Sequence, residues 1–311
     1  MTVASLTPRP RWARFMTDDE WRGFLVAVEA ELSRRGLRYR LEDGFVWAPW
    51  GGDDDEALSL LNLAQLCHAA GAEHFARVII SHFDALIAGR SDRAMADHLG
   101  AHLDAARPHL KLRLYPRETF REQPDQFVVR DIADDLSAVL CFDLPSNVVT
   151  VNADSLERWN CTADDVWYQA LANLRRTERA TIEDVDVGGA VLKAMTGDSF
   201  FVASNLLLLD DFLGEDTTRW GALAAVPNRH TLVWHPIVDL TALRAIDAMV
   251  VMASGMCAEG PGSISPHLFW WREGSLRTLP TRETEDHYEF VPPDDFVTDV
   301  LEELAQRMNL N

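Results

Sequence analysis

Hydroxyl, imidazole and carboxylate side chains recur in the second half of the chain, and these are the three types that nucleophilic hydrolysis needs. The residues are Asp198, Ser199, His230, His235, Ser263, Ser265 and His267. A serine attacks a carbonyl carbon when a histidine takes its proton and a carboxylate orients that histidine. The chain has no GxSxG sequence, the nucleophile signature of many hydrolases. A serine/histidine hydrolase therefore requires the fold alone to assemble these residues.

The segment Gly260–His267 is the most distinctive loop, because it alternates glycine, proline and serine before a histidine. Glycine permits backbone conformations that other residues avoid. Successive N–H groups in such a loop form a concavity that binds anions, and the donors expected here are Gly260, Gly262, Ser263 and Ile264. The alternative is a structured turn that leads into the strand at Phe269.

A second turn, Pro227–His230, is predicted to lie beside this loop on one rim of the same sheet. Arg229, His230 and His267 then form a small positive patch on an acidic protein, which attracts an anion. The predicted ligand-binding residues are Asp198, Arg229, His230, Ser263, Ser265 and His267. No residue is assigned a catalytic role.

Metal and nucleotide sites are not predicted. His98 and His102 share a helix face at spacing i, i+4, and His68, His74 and His82 lie on preceding helices. Zinc needs three or four converging ligands, and the chain has no HExxH sequence. No glycine-rich segment matches a phosphate-binding or dinucleotide-binding loop. The sequence therefore predicts neither a bound metal nor a cofactor.

The charge balance narrows the classes of partner. The 311-residue chain has 29 basic and 49 acidic residues and a net charge of −20. Such a charge repels nucleic acid phosphates and anionic membrane surfaces. It favours solubility or docking to a basic partner. A protein partner or a small ligand is expected, without nucleic acid or membrane; oligomeric state stays open.

Cysteine spacing and the N-terminus predict a cytoplasmic protein. The four cysteines lie far apart without a CxxC pair, which is typical of buried thiols in a reducing compartment. Residues 1–16 contain three arginines but no apolar core segment, unlike a secretory signal. The longest apolar run, Ala245–Cys257, contains Asp247 and is short for a bilayer span.

Hydrophobic periodicity predicts a helix-rich N-terminal portion at residues 1–107. Thr17 and Glu20 form a capping-box sequence before a helix that ends at Gly36. A hairpin over residues 37–47, a polar linker at 51–56 and three helices, 58–70, 72–88 and 91–106, are expected next.

Residues 108–311 mix strands and helices. Period-two alternation predicts strands at 110–114, 137–142, 148–151, 185–187, 190–194, 222–226, 231–234, 269–271 and 276–279. Helices are expected at 162–174, 200–212, 241–257 and 294–308. Short turns between strands favour an α+β fold with a mainly antiparallel sheet and packed helices. In the pair Trp270–Trp271, one ring is expected in the core and the other outside it.

Six segments between Ser137 and Trp271 occur in an order that resembles the YtpQ-like family of bacterial proteins (domain of unknown function 1444). They are Cys141–Pro145, Asn147–Val149, Ala170–Leu174, Gly197–Phe200, Ala225–Arg229 and Gly260–His267. The stretch from Leu61–Cys67 to His82–Asp84 is similar to actinobacterial relatives. The resemblance implies no reaction, and His230 stands where many relatives have an acidic residue.

Together these features predict a protein that acts mainly by binding a protein or a small ligand. One alternative is a serine/histidine hydrolase between Asp198 and His267. Another is an acidic immunity-type or regulatory inhibitor of a basic partner, whose association added salt would weaken.

Overall fold

The computed structural model describes residues 8–42, 44–50, 55–88, 90–123, 125–177, 180–213, 219–284 and 288–308. Contacts divide the chain into two compact units. The first comprises the described residues up to Met95, with Pro145–Asn147 and Glu259–Gly262. The second comprises Ala96–Leu144, Val148–Ala258 and the described residues from Ser263 onward, so residues 96–107 group with the second unit.

The first unit holds helices around a three-stranded antiparallel sheet. Its elements are α1 (Asp18–Arg34), β1 (Arg40–Glu42), β2 (Phe45–Ala48), β3 (Glu56–Ser59), α2 (Leu61–Ala70), α3 (Phe75–Ala88) and the start of α4 (Arg90–Ala101). The capping box at α1 is confirmed: Thr17 Oγ1 accepts from the Glu20 N–H at 3.2 Å and Glu20 Oε2 accepts from the Thr17 N–H at 2.7 Å. Phe24, Leu32, Leu63 and Phe83 are fully buried in its core.

The second unit begins with a four-stranded sheet. Its first elements are α5 (Leu103–Ala106), β4 (Leu110–Pro116), β5 (Val129–Ala133), β6 (Leu136–Asp143), β7 (Val148–Thr150), α6 (Asp154–Trp159) and α7 (Ala163–Thr177). The strand order is β4–β6–β5, and β7 also pairs with β6. The register places Arg113 opposite Val139 and Tyr115 opposite Ser137.

A six-stranded sheet follows, with the order β13–β12–β10–β11–β9–β8. The remaining elements are β8 (Thr181–Asp186), β9 (Val191–Thr196), α8 (Asp210–Leu213), β10 (Ala222–Ala225), β11 (Thr231–Pro236), α9 (Thr241–Glu259), β12 (Leu268–Arg272), β13 (Ser275–Leu279), β14 (Thr281–Glu283), β15 (Tyr288–Phe290), α10 (Asp294–Phe296) and α11 (Glu303–Met308). Residues Val297–Glu302, between the last two helices, form a π-helix.

All strand pairs are antiparallel, so the predicted α+β class with antiparallel sheets is confirmed. Apolar side chains of α9, β10 and β11 form the main core of the second unit, with Leu223, Val233, Ala245 and Met249 at its centre. Helix α9 is long and apolar enough to cross a membrane by length and composition, and 39% of that window is buried within the fold.

Three local predictions need correction. Residues 56–59, predicted as the end of a linker and the start of a helix, form strand β3, which pairs with β2. The predicted helix over 200–212 is a 3-10 helix at Ala203–Leu208 followed by the short α8. Trp270 and Trp271 are both buried, at 5% and 8% exposure, because both faces of the sheet are covered there.

Candidate functional site

Strand β4 presents basic and aromatic side chains on one face. Residues 110, 112 and 114 are leucines on the opposite, buried face, so alternation places Lys111, Arg113 and Tyr115 together. Lys111 Nζ lies 2.8 Å from Asp143 Oδ2 and is therefore neutralised. Arg113 is different, because its Nε is buried and has no hydrogen-bond partner in the part of the chain that the structure describes.

Phe200 brings Arg113 together with a second arginine from a distant turn. The guanidinium carbon of Arg229 lies 4.3 Å from the centre of the Phe200 ring, and that of Arg113 lies 5.7 Å from it. Arg113 also lies 4.7 Å from the ring centre of Tyr115. Arg113, Tyr115, Phe200, Arg229 and His230 are called the arginine site below.

The contacts of His230 fix its protonation state. Its Nε2 accepts from Arg229 Nε at 2.9 Å, because a guanidinium nitrogen only donates. Its Nδ1 lies 3.1 Å from the Gly197 carbonyl oxygen, which only accepts, so Nδ1 carries the proton. His230 is therefore the neutral Nδ1–H tautomer. It is positioned by Gly197, which directly follows β9, and by Asn228, whose Oδ1 accepts from the His230 N–H at 3.0 Å.

The electrostatics of the site reflect buried positive charge. Burial, and next the charge of Arg113, lower the pKa of Arg229 to about 10. Burial and the neighbouring Arg229 charge lower the pKa of His230, which agrees with its neutral tautomer. Burial raises the pKa of Tyr115, so this residue stays a neutral phenol at physiological pH.

No acidic side chain among the described residues compensates the two guanidinium groups. Within the described ranges, neither Arg113 nor Arg229 forms an ion pair, whereas fifteen other arginines do, as Arg35 does with Glu31. The negative charge of Asp198 acts to raise the pKa of His230, but Asp198 is exposed to solvent. The site is thus locally positive on a protein whose net charge is −20.

The predicted meeting of two segments is confirmed for part of the loop. Asn228 pairs with Ser263 as an antiparallel bridge, and the Ile264 N–H donates to the Pro227 oxygen at 2.9 Å. The predicted anion-binding concavity is wrong at two of its donors. The Ile264 N–H takes part in this pairing, and the Gly262 N–H donates to Asn62 Oδ1 at 2.8 Å. Neither N–H is therefore available to an anion.

The six predicted site residues separate into two groups. Arg229 and His230 belong to the arginine site, with Asp198 exposed nearby. Ser265 Oγ instead donates to Asp135 Oδ2 at 2.5 Å, and His267 Nδ1 accepts from the Thr281 N–H at 3.1 Å. Ser263 Oγ donates to the Cys257 oxygen at 2.6 Å. The pairing runs antiparallel, so the chain moves away from His230 as it continues to His267, and the two imidazoles contact different partners.

A cavity of about 470 Å³ lies on one face of the four-stranded sheet, the face that also carries Arg113 and Tyr115. Cross-strand pairs share a face, and the register joins Arg113 to Val139 and Val129, and Tyr115 to Ser137 and Asp131. The cavity, called the β5–β6 cavity, is lined by Arg117, Phe120, Arg121, Val129, Asp131 and Ser137. Its size is within the range of small-molecule sites.

Charge in the β5–β6 cavity is also positive on balance. Arg117 Nη2 lies 2.7 Å from Asp131 Oδ2, and Ser137 Oγ donates to Asp131 Oδ1 at 2.7 Å, so this carboxylate is fully engaged. Arg121 forms no ion pair within the described residues. The described lining therefore holds two arginines and one aspartate.

Metal ligands do not converge in the part of the chain that the structure describes: no group of three or more His, Cys, Asp or Glu lies close enough to hold an ion. His98 and His102 contact each other, with ring centres 4.6 Å apart. Cys67 and Cys141 are buried, and burial raises the pKa of each thiol to about 12, so neither is a reactive thiolate.

The sequence does not single out Arg113 or Tyr115 as site residues, although one signal points to Arg113. The alternation of Leu110–Leu114 already placed Lys111 and Arg113 on one face. Nothing local distinguishes the paired Lys111 from the unpaired Arg113, because the partners come from distant segments.

No family model, no curated protein and no solved structure matches this chain.

Proposed function

We propose that this protein acts by reversibly binding a small anionic ligand at the arginine site. The observation that carries the proposal is the pair Arg113 and Arg229, half-buried and without a compensating carboxylate within the described residues. Charge removed from water without a counter-charge is destabilising. Such a pair suits a site whose negative charge arrives with the ligand, and strongly perturbed ionisable groups concentrate at functional sites.

Binding is favoured over the hydrolase alternative by the contacts of the serines. Ser199 Oγ accepts from the Phe201 N–H at 3.1 Å, as the start of a helical turn requires. Ser265 Oγ donates to a carboxylate rather than to an imidazole. The ring nitrogens of His230 already contact Arg229 and the Gly197 oxygen. These contacts stabilise the fold, and no serine hydroxyl of the described residues forms a hydrogen bond with the His230 ring.

The β5–β6 cavity supplies room for the remainder of a ligand. It opens on the same sheet face, and its apolar contacts from Phe120 and Val129 adjoin the polar Ser137 and Arg121. Small-molecule sites combine apolar walls with a few polar groups in this way.

A panel of small anions tests the proposal by thermal unfolding of the full chain and of the double variant Arg113→Met/Arg229→Met. A ligand that binds only the folded state raises the melting temperature. We expect at least one anion to stabilise the parent chain and not the double variant. Lys111→Met is the matched control, since Lys111 lies on the same face but is already paired with Asp143. Equal stabilisation of the double variant, or none of the parent, would refute anion binding at this site.

A further inference from the structure

We infer that the arginine site selects a doubly charged tetrahedral oxyanion, the phosphate dianion as free phosphate or as a small monoester, over singly charged anions. The inference rests on the proposed function and specifies its ligand. It is carried by the charge that faces the site and by the donors that remain free there.

Two full positive charges face the site. Arg113 and Arg229 carry them, and both contact Phe200. His230 is neutral because of its two hydrogen bonds, and Tyr115 is a neutral phenol. A single negative charge therefore leaves one guanidinium uncompensated.

Neighbouring charged groups do not alter this balance. Lys111, on the same face of β4, is compensated by Asp143 at 2.8 Å. Cys141, which lies opposite Lys111 on β6, is a neutral thiol. Asp198 acts on His230 but is exposed, where solvent screens its charge.

The free donors suit an acceptor with oxygens on several sides. Arg229 uses Nε to hold His230, so only its terminal amino groups are available to a ligand. The buried Nε of Arg113 has no hydrogen-bond partner among the described residues, and its guanidinium forms no ion pair there, so its charge is also uncompensated. A phosphate has three oxygens that accept in different directions, whereas a carboxylate has two in one plane. Two guanidinium groups, one from strand β4 and one from the turn between β10 and β11, match the tetrahedral group better.

Three anionic probes test whether binding depends on the second negative charge of the ligand. Methyl phosphate and methyl sulfate have nearly the same shape, but only the phosphate ester carries two charges at pH 7.5, since its second pKa is about 6. Sulfate carries two charges throughout and reports any pH dependence of the protein itself. Affinities are measured by calorimetry at pH 5.5 and pH 7.5, with inorganic phosphate as a fourth arm that separates a free-phosphate site from a monoester site.

We expect methyl phosphate and sulfate to bind at least about tenfold more tightly than methyl sulfate, a factor equal to 1.4 kcal/mol. Relative to sulfate, methyl phosphate should gain about fourfold in affinity between pH 5.5 and 7.5, as its dianion fraction rises. Arg113→Met and Arg229→Met should each weaken binding by about tenfold or more, whereas Lys111→Met should stay within about twofold of the parent chain.

The outcomes separate the two proposals. If methyl sulfate binds as tightly as methyl phosphate and both need the arginines, the site binds anions but does not select dianions, and this inference fails alone. If no probe binds, or if binding is indifferent to both arginine substitutions, the proposed function fails with it. Tighter binding of inorganic phosphate than of methyl phosphate assigns the site to free phosphate; the reverse assigns it to a monoester.

Discussion

Arg113 and Arg229 place positive charge where folding removes water and brings no carboxylate within contact among the described residues. A pKa lowered from 12.5 to about 10 for Arg229 corresponds to roughly 3 kcal/mol against its charged form. Functional sites commonly retain such unfavourable arrangements at the expense of stability. The arginine site therefore predicts opposite effects of one substitution on stability and on binding.

The substitution Arg229→Met should raise the free energy of unfolding by about 1 kcal/mol, because an uncompensated charge is replaced by an apolar side chain of similar length. The gain is smaller than the full electrostatic penalty, since the contacts with His230 and with the Phe200 ring are also lost. Urea-induced unfolding at pH 7.5 measures this change.

Lys111→Met is the comparison on the same sheet. Lys111 is buried and paired with Asp143, so its replacement should lower the free energy of unfolding by about 1–2 kcal/mol. If Arg229→Met destabilises the protein as much as Lys111→Met does, the charge of Arg229 is compensated in solution and the argument for the site is lost.

His230 makes stability depend on pH in a definite direction. Its pKa is lowered in the folded protein, from an ordinary value of about 6.5, by burial and by Arg229. The unfolded chain then binds a proton that the folded one excludes, so the free energy of unfolding falls as pH decreases from 6.5 towards the folded pKa. Replacing His230 by asparagine should flatten this dependence below about pH 6.5, measured by urea unfolding at several pH values. An unchanged slope would show that His230 titrates normally.

At the scale of elements, the sequence predicts contacts within one helical turn and between turns that flank neighbouring strands, but not contacts between different sheets. The capping box at Thr17 and Glu20 lies within one helical turn, so the sequence contains everything that forms it. The pairing of residues 226–228 with 263–265 was also predictable, because both turns flank neighbouring strands of one sheet. The meeting of Arg113 with Arg229 was not, since it depends on which residues from two different sheets contact Phe200.

The Gly260–His267 loop also forms its contacts with segments that are distant in the sequence. Its glycines, prolines and serines are typical of a binding loop, but the Ile264 N–H donates to the Pro227 oxygen and the Gly262 N–H donates to Asn62 Oδ1. Asp135, in the turn between β5 and β6, holds the segment in place: it accepts from Ser265 Oγ at 2.5 Å and from Thr278 Oγ1 at 2.7 Å. This part of the predicted site is thus a structural connection.

Asp135→Ala should lower the free energy of unfolding by about 2–3 kcal/mol, because it leaves the buried hydroxyls of Ser265 and Thr278 without their charged acceptor. Asp135→Asn, which keeps one acceptor oxygen, should cost about half as much. Asp134→Ala is the control, since the adjacent Asp134 side chain is exposed and its loss should change stability by less than about 0.5 kcal/mol. Equal effects of Asp134→Ala and Asp135→Ala would contradict this role.

At the scale of the whole molecule, the two units have separate hydrophobic cores. Phe24, Leu63 and Phe83 belong to one, and Leu223 and Met249 to the other. Every residue of the arginine site belongs to the second unit. Ligand binding stabilises only the folded region that forms the site, so its effect should be confined to one part of the chain.

Scanning calorimetry of the full chain tests this confinement. We expect two unfolding transitions, of which a saturating dianion raises only the one that belongs to the second unit. At a ligand concentration of 100 times the dissociation constant, the stabilisation is about 2.7 kcal/mol, and a unit of this size should gain roughly 5–10 °C. Destabilising substitutions show which transition belongs to which unit. Leu63→Ala should lower the melting temperature of the first unit, and Leu223→Ala that of the second unit, because each removes a fully buried side chain. In Arg229→Met the shift should vanish while both transitions remain. A dianion that raises both transitions equally, or that still raises one in Arg229→Met, would place the ligand outside the arginine site.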